Sequence, residues 1–134
     1  MEKHYKKILK DTEERVASRL RAQEMDEKSP CYGGFYDTNR MVQAKYTIIC
    51  VEPMITLYCN PDSRYYRNPL LAWRAELGLA YIRSVQHENG LFDYVTCNFL
   101  SAPDTANPWL IMVVRRVKSS ALVLYVLVPR SSRA

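Results

Sequence analysis

Four side chains have the residue type and the placement, at predicted loops and helix ends, that chemistry would require: Tyr36, His87, Asn98 and Asp104. Asn98 lies shortly before a predicted helix start at Ser101, and the N-terminus of a helix favours anions. Asn98 could therefore contact an anionic group of a substrate, with a capping or turn-bracing asparagine as the structural alternative. The sequence has no P-loop, dinucleotide fingerprint, serine nucleophile motif or metal-ligand cluster, so we expect no metal and no cofactor.

The other three candidates also have structural explanations. His87 follows a predicted helix, where an imidazolium can interact with the last carbonyl groups. Asp104 stands three residues after Ser101, as in a capping box at a helix start. Tyr36 lies on a glycine-containing loop, where an aromatic ring could stack on a sugar face or pin the loop to the helices.

The clearest predicted element is a helix from Pro69 to Gln86. Its apolar residues recur every three or four positions, which is typical of a helix with one buried stripe. Asn68 can cap its first turn, and Asn89-Gly90 provides the positive φ angles that reverse a chain after a helix. Phe92 can then fold back onto the helix. The predicted stripe consists of Leu70, Trp73, Leu77 and Tyr81, with Leu71, Gly78, Ile82 and Val85 beside them.

Two further helices are predicted before this one. Residues 1–24 alternate charged side chains with an apolar stripe, and a loop rich in Gly, Pro, Ser and Asp follows over residues 25–39. A second helix is predicted from Arg40 to Tyr58, with a kink or break near Val51 because Pro53 removes a backbone hydrogen bond. The stripe of the first helix consists of Tyr5, Ile8, Leu9, Thr12, Val16 and Leu20.

The tail over residues 107–134 differs from the rest of the chain. Two apolar runs rich in β-branched residues, 109–114 and 121–128, flank a polar turn, which favours a β-hairpin although a helix remains possible. Basic residues separate the runs, so no membrane span of about 20 residues is predicted. We predict an atypical tail, such as a frameshift or an early stop would leave.

A sequence pattern spans the end of the helix predicted from Pro69 to Gln86. The pattern G-x-x-Y-I-x-x-x-Q-x-x-x-G-x-F resembles the repeat turn of α/α toroids, in which the glutamine ties a helix end to the following turn. Together with residues 98–106, NFLSAPDTA, it resembles the N-terminal helical region of heparinase II/III-like polysaccharide lyases and related glycan-active toroids. The resemblance covers about residues 32–106, and the pattern occurs once. Its matching residues are Gly78, Tyr81, Ile82, Gln86, Gly90 and Phe92.

The resemblance implies an all-α fold. Residues 1–134 would be a single helical domain and a partial α/α toroid, with toroid-like antiparallel hairpins over residues 40–106. In such lyases an asparagine neutralises the uronate carboxylate, so Asn98 becomes the catalytic candidate, and Tyr36, Asp104 and His87 become substrate-binding candidates. The implied function is elimination or hydrolysis of glycosidic bonds in an acidic polysaccharide. Because 134 residues are too few for a ring of twelve helices, the chain is expected to be inactive alone.

Composition leaves other function classes open. A formal charge of +5 could serve a small basic helical binding module for nucleic acid or a protein, with nucleic acid the less favoured partner. An open arc of helices leaves apolar faces uncovered, so a homo-oligomer is also possible.

The four cysteines lack zinc-site spacing and no secretory leader is recognisable, which predicts reduced thiols and a cytoplasmic protein.

Overall fold

The computed structural model describes residues 1–93, which form three α-helices and the loops between them. Helix α1 spans Glu2–Leu20, α2 spans Ala44–Cys59 and α3 spans Pro69–Ser84. Helix α2 is the central layer, since it packs extensively against α3 and less extensively against α1. Two isolated β-bridges join residues of the described loops, Gln23 with Phe35 and Tyr36 with Val42. The all-α prediction is therefore confirmed for this part of the chain.

Predictions for residues 94–134 lie outside the described residues. They include Asn98, Asp104, the helix that starts at Ser101 and the atypical tail. Among α1, α2 and α3, none is long and apolar enough to cross a bilayer.

Both ends of α3 follow the local signals in the sequence. Asn68 Oδ1 accepts hydrogen bonds from the backbone N–H groups of Leu70 and Leu71, at 2.9 and 3.2 Å, and Pro69 is the first helical residue. After the helix, Gly90 has a φ of 85° and accepts a 2.9 Å hydrogen bond from Gln86 Nε2. Phe92 is buried at 2% exposure. The capped start, the glycine turn and the returning phenylalanine are confirmed, although the helix ends two residues before Gln86.

The buried face of α3 differs from the predicted stripe. Leu70 and Trp73, both predicted to be buried, are 62% and 44% exposed. The reason is the close approach of α2: a Cβ added to Gly78 would lie 2.5 Å from Cγ2 of Val51. Gly78 therefore lies against α2, and Leu70 and Trp73, on another side of α3, face solvent. The buried residues of α3 are Leu71, Ala75, Gly78, Leu79, Tyr81 and Ile82.

Helix α1 is shorter than predicted, and less of its predicted apolar stripe is buried. It ends at Leu20 because the chain beyond it pairs with the following loop: the Glu24 N–H donates to the Gly34 carbonyl at 2.8 Å, and the Gly33 N–H donates to the Glu24 carbonyl at 2.8 Å. Within the predicted stripe only Val16 is fully buried. At the other end of the helix, Tyr5 and Ile8 are exposed.

Helix α2 begins later than predicted and continues through its proline. Residues 40–43 form part of a loop because Asp37 Oδ1 accepts the N–H groups of Asn39 and Met41, at 2.8 and 3.0 Å. The helix then runs without interruption past Pro53. Of the two predicted outcomes, a break near Val51 is wrong, and a kink there stays a prediction.

The loop between α1 and α2 enters the core instead of covering it. Phe35 is fully buried, and its N–H donates to Thr47 Oγ1 at 3.1 Å. Gly33 has a φ of 87°, and a Cβ there would lie 2.3 Å from the carbonyl oxygen of Leu77. Only glycine permits this backbone-to-backbone contact, because a side chain would collide with α3 and strain the left-handed conformation.

Candidate functional site

Two of the predicted site residues, Tyr36 and His87, lie in the described part of the chain. Tyr36 is exposed on the loop, and its hydroxyl donates a short hydrogen bond to a carboxylate oxygen of Glu24. That bond raises the pKa of Tyr36 and lowers the pKa of Glu24. Tyr36 therefore remains a neutral phenol at physiological pH and is poorly suited to accept a proton.

His87 lies in the turn that follows α3. Its Nε2 is 2.9 Å from Oδ1 of Asp93, and its N–H donates to the Leu91 carbonyl at 2.9 Å. Both side chains of the His87–Asp93 pair are more than 40% exposed. His87 therefore braces the turn after the helix.

The resolved pKa shifts in residues 1–93 all lead away from neutral pH. A backbone hydrogen bond from Met41 lowers the pKa of Asp37. Burial raises the pKa values of Tyr46 and Cys50, and it raises that of Tyr81 to about 12. A carboxyl, phenol or thiol group that acts as a general acid or base near pH 7 would require a shift toward neutrality, whereas each of these shifts moves its group away from it. No group of three His, Cys, Asp or Glu side chains in this part of the chain could hold a metal ion.

The loop between α2 and α3 is held in place by α1. Glu13 Oε1 accepts hydrogen bonds from Ser63 Oγ and from the Arg64 N–H, both at 2.9 Å. Nearer the start of α1, the hydroxyl of Tyr5 donates to Oδ2 of Asp62 at 2.8 Å. These contacts fix the conformation of an otherwise exposed segment, residues 60–68.

This loop presents two arginines stacked on neighbouring tyrosines. Arg64 Cζ lies 5.0 Å from the ring centroid of Tyr65, and Arg67 Cζ lies 5.3 Å from that of Tyr66, both within cation–π range. Arg64 is partly neutralised, since its Nε is 3.6 Å from Glu13 Oε2. Arg67 has no carboxylate partner within residues 1–93 and adopts a φ of 51°. For a residue with a side chain that conformation costs roughly 1–2 kcal/mol, and strained residues of this kind cluster at functional sites.

The loop continues into a solvent-exposed face of α3 that we call the outer face: Leu70, Trp73, Glu76 and Ala80. All four residues are exposed, and only Glu76 is charged. The neighbouring side of α3 is occupied, because Arg74 Nη1 donates to Gln23 Oε1 at 3.0 Å. Helix α2 packs against another side of α3, and the outer face is open to solvent.

The basic excess of the protein does not lie in the described residues. Of 19 basic and 14 acidic side chains, 14 and 13 lie in residues 1–93, which leaves a net charge of +1 there. A nucleic-acid-binding surface requires a concentration of positive charge along one face. The three-helix part of the chain lacks that excess.

The functional candidates that the sequence predicts do not include Tyr66, Arg67, Leu70 and Trp73. For Leu70 and Trp73 the helical spacing predicts a buried position, because apolar residues at that spacing usually face inward. The signal in the sequence is the pair of small residues at positions 75 and 78, which are both buried. Ala75 and Gly78 mark the line along which another helix can approach closely, and they lie on the side of α3 away from Trp73.

We found no match between this chain and any protein-family model, curated protein or solved structure. The toroid resemblance therefore stays a prediction, and the function must be argued from the geometry.

Proposed function

We propose that this chain is a non-catalytic helical binding module, and that it binds a protein partner through the outer face of α3. The observation that carries the proposal is the exposure of Leu70 and Trp73 one helical turn apart, at 62% and 44%. Surface helices normally direct polar side chains to solvent, and clustered exposed apolar side chains rimmed by polar ones are typical of interaction sites.

The residue types at this surface suit a protein interface. Trp, Tyr and Arg are the types that most often dominate the binding energy of such interfaces. Trp73, Tyr66 and Arg67 are all exposed. The Glu13 carboxylate accepts hydrogen bonds from the loop and so holds the segment that carries Tyr66 and Arg67. A preorganised surface loses little conformational entropy on binding, which favours affinity.

A protein partner is favoured over nucleic acid by charge. Residues 1–93 carry 14 basic and 13 acidic side chains. A near-neutral domain gains little from the counterion release that dominates nucleic-acid affinity. An apolar face with one carboxylate, Glu76, is also unfavourable next to phosphates.

The second candidate function is binding of an acidic polysaccharide, as the family resemblance implies. The observation in its favour is the pair of guanidinium groups stacked on Tyr65 and Tyr66. An arginine can donate two parallel hydrogen bonds to a uronate carboxylate, and an aromatic ring can pack on a sugar face. Under this candidate the two guanidinium groups bind the glycan, and Asn98 stays the expected catalytic contact.

Site-specific photo-crosslinking tests the protein-binding proposal. A benzophenone amino acid replaces Trp73 in one variant and Ile8, an exposed apolar residue of α1, in the control. We expect crosslinks from position 73 and not from position 8. The partner identified by the crosslink is then purified. Its affinity for the wild type, for Leu70→Glu and for Ile8→Glu is measured by calorimetric titration.

The proposal requires Leu70→Glu to weaken that binding by at least about tenfold while Ile8→Glu leaves it unchanged, because a charge at the centre of an interface is poorly tolerated. Equal crosslinking from both positions would refute the protein-binding proposal.

The glycan candidate is tested with polygalacturonate and heparin. Binding that Arg67→Ala abolishes and Leu70→Glu preserves would favour the glycan function instead.

A further inference from the structure

We infer that the protein partner is a second copy of this chain, and that the two copies pair their α3 helices antiparallel about a two-fold axis between positions 71 and 72. This inference rests on the proposed function above and names its partner. Its basis is the order of side chains along the surface: Arg67, Leu70, Trp73 and Glu76, at intervals of three residues. That order is self-complementary when one copy is reversed.

In an antiparallel pair, residues equally distant from the axis face each other. Leu70 then faces the second copy's Trp73, so the two most exposed apolar side chains of α3 cover one another. Further out, Glu76 stands about 7 Å from the axis along the helix, given a rise of about 1.5 Å per residue. Arg67 lies in the loop directly before the capping residue Asn68, at the end of the surface that the second copy's Glu76 approaches.

Symmetry produces the charge pair twice. A two-fold interface is isologous, so each contact between unlike residues occurs once on either side of the axis. Neither Arg67 nor Glu76 has an oppositely charged partner among residues 1–93, and both are exposed. The capped start of α3 and the stack on Tyr66 hold Arg67 at the end of the surface where the second copy's carboxylate would lie.

Other registers of the same pairing are less favourable. An axis at Trp73 would place Leu70 opposite the second copy's Glu76 and bury a carboxylate without a cation. Arg74, the next basic residue along the helix, is not available to pair with the second copy's Glu76 in Arg67's place, because it already donates a hydrogen bond to Gln23 at 3.0 Å. Charge thus selects one register.

The interface is small, so the affinity is expected to be modest. A single pair of helices buries less than the roughly 1,200 Å² of a standard stable interface, which implies a Kd on the order of 10–100 µM. Sedimentation velocity of the full 134-residue chain over about 5–500 µM should therefore show a monomer–dimer equilibrium.

Charge reversal tests the register. Arg67→Glu and Glu76→Arg should each raise the dimer Kd by about tenfold or more, because each places like charges opposite one another twice. The double variant should restore the wild-type Kd to within about threefold, since the pairs re-form with exchanged signs. Arg15→Glu and Glu14→Arg, exposed residues of α1, are the matched controls and should have no effect.

Two outcomes would overturn the inference. A chain that stays monomeric up to 500 µM has no self-association through this face. A dimer whose single reversals do not weaken it, or whose double reversal does not restore it, pairs in another way. In either case, crosslinks from position 73 to a different protein would leave the proposed function intact, so the two failures are distinguishable.

Discussion

Arg19 of α1 donates a hydrogen bond from Nη1 to the carbonyl oxygen of Ile49 at 3.1 Å. Ile49 lies four residues before Pro53, so its carbonyl is the one that would have accepted the missing N–H of the proline. The side chain of a neighbouring helix thus replaces the backbone donor that Pro53 lacks. This contact also places α1 against α2, and it explains how α2 continues through a residue that normally ends a helix.

Arg19→Ala should therefore lower the free energy of unfolding by about 1.5–3 kcal/mol, the range for a hydrogen bond from a charged donor. The loss should shrink when Pro53 is replaced by alanine, because an N–H at position 53 can bond Ile49 itself. Urea denaturation of the two single variants and the double variant measures the coupling. Arg15→Ala, one turn earlier on α1, is the control. Additive losses would mean that Arg19 does not compensate for the proline.

Gly78→Ala should destabilise the pairing of α2 and α3. A Cβ at this position would lie 2.5 Å from Cγ2 of Val51, so one of the two helices must shift. We expect a loss of about 1–3 kcal/mol, typical of overpacking in a core. Val51→Ala removes the opposing methyl group and should recover part of the loss in the double variant. Thermal unfolding followed by circular dichroism checks both, and an unchanged or raised Tm for Gly78→Ala alone would contradict the close approach.

Gln23 connects three segments through one buried side chain. Its Nε2 donates to the carbonyl oxygens of Gly33 and Arg74, both at 2.9 Å, and its Oε1 accepts from Arg74 Nη1 at 3.0 Å. Gln23→Leu should cost about 2–4 kcal/mol, because two carbonyl groups and a guanidinium would lose their partner together.

Chemical denaturation measures the loss for Gln23→Leu. The control is Gln43→Leu, which removes a single hydrogen bond to Asp37 and should have the smaller effect. Hydrogen exchange of the Gly33 and Gly34 amides should accelerate in Gln23→Leu, since these glycines lie in the segment that Gln23 holds. Equal losses in the two variants would contradict the bridging role.

Acid should weaken the wild type through Asp37. Hydrogen bonds from Met41, Gln43 and Asn39 hold the pKa of Asp37 below its unfolded value near 3.8. Because the folded pKa is depressed, the stabilisation is present above about pH 4 and is lost as pH falls through the folded pKa. The drop in the urea midpoint between pH 6 and pH 3 should therefore be smaller for Asp37→Asn than for the wild type. Asp11→Asn, an exposed carboxylate of α1, is the control, and equal drops in all three proteins would contradict the prediction.

Much of the local structure could be predicted because its causes are adjacent in the chain. Asn68 and Pro69 set the start of α3 through bonds to the next residues, and Gly90 sets the turn after it through its own φ angle. The bond between Gln86 and Gly90 spans four positions. The toroid resemblance rests on this same local turn, which is why a good match there leaves the wider architecture untested.

The candidate site could not be predicted in the same way. Apolar residues at positions 70 and 73 are equally compatible with a core stripe and with an exposed patch, and periodicity alone places them in the core. Their exposure follows from where α2 lies, and α2 lies against Gly78. The strained φ of Arg67 and its stack on Tyr66 likewise depend on how α1 holds the loop.

The sequence by itself determined three helices, the Asn68 cap of α3 and the turn at Gly90, because these depend on φ angles and hydrogen bonds within a few residues. Tertiary structure alone decided three things: that α1 ends at Leu20, that α2 continues through Pro53, and that Leu70 and Trp73 face solvent. Each of these depends on a partner far away in the chain, namely the loop at Gly33, the guanidinium of Arg19 and the side chain of Val51. Local propensity cannot specify such contacts, since they are settled only when the helices pack.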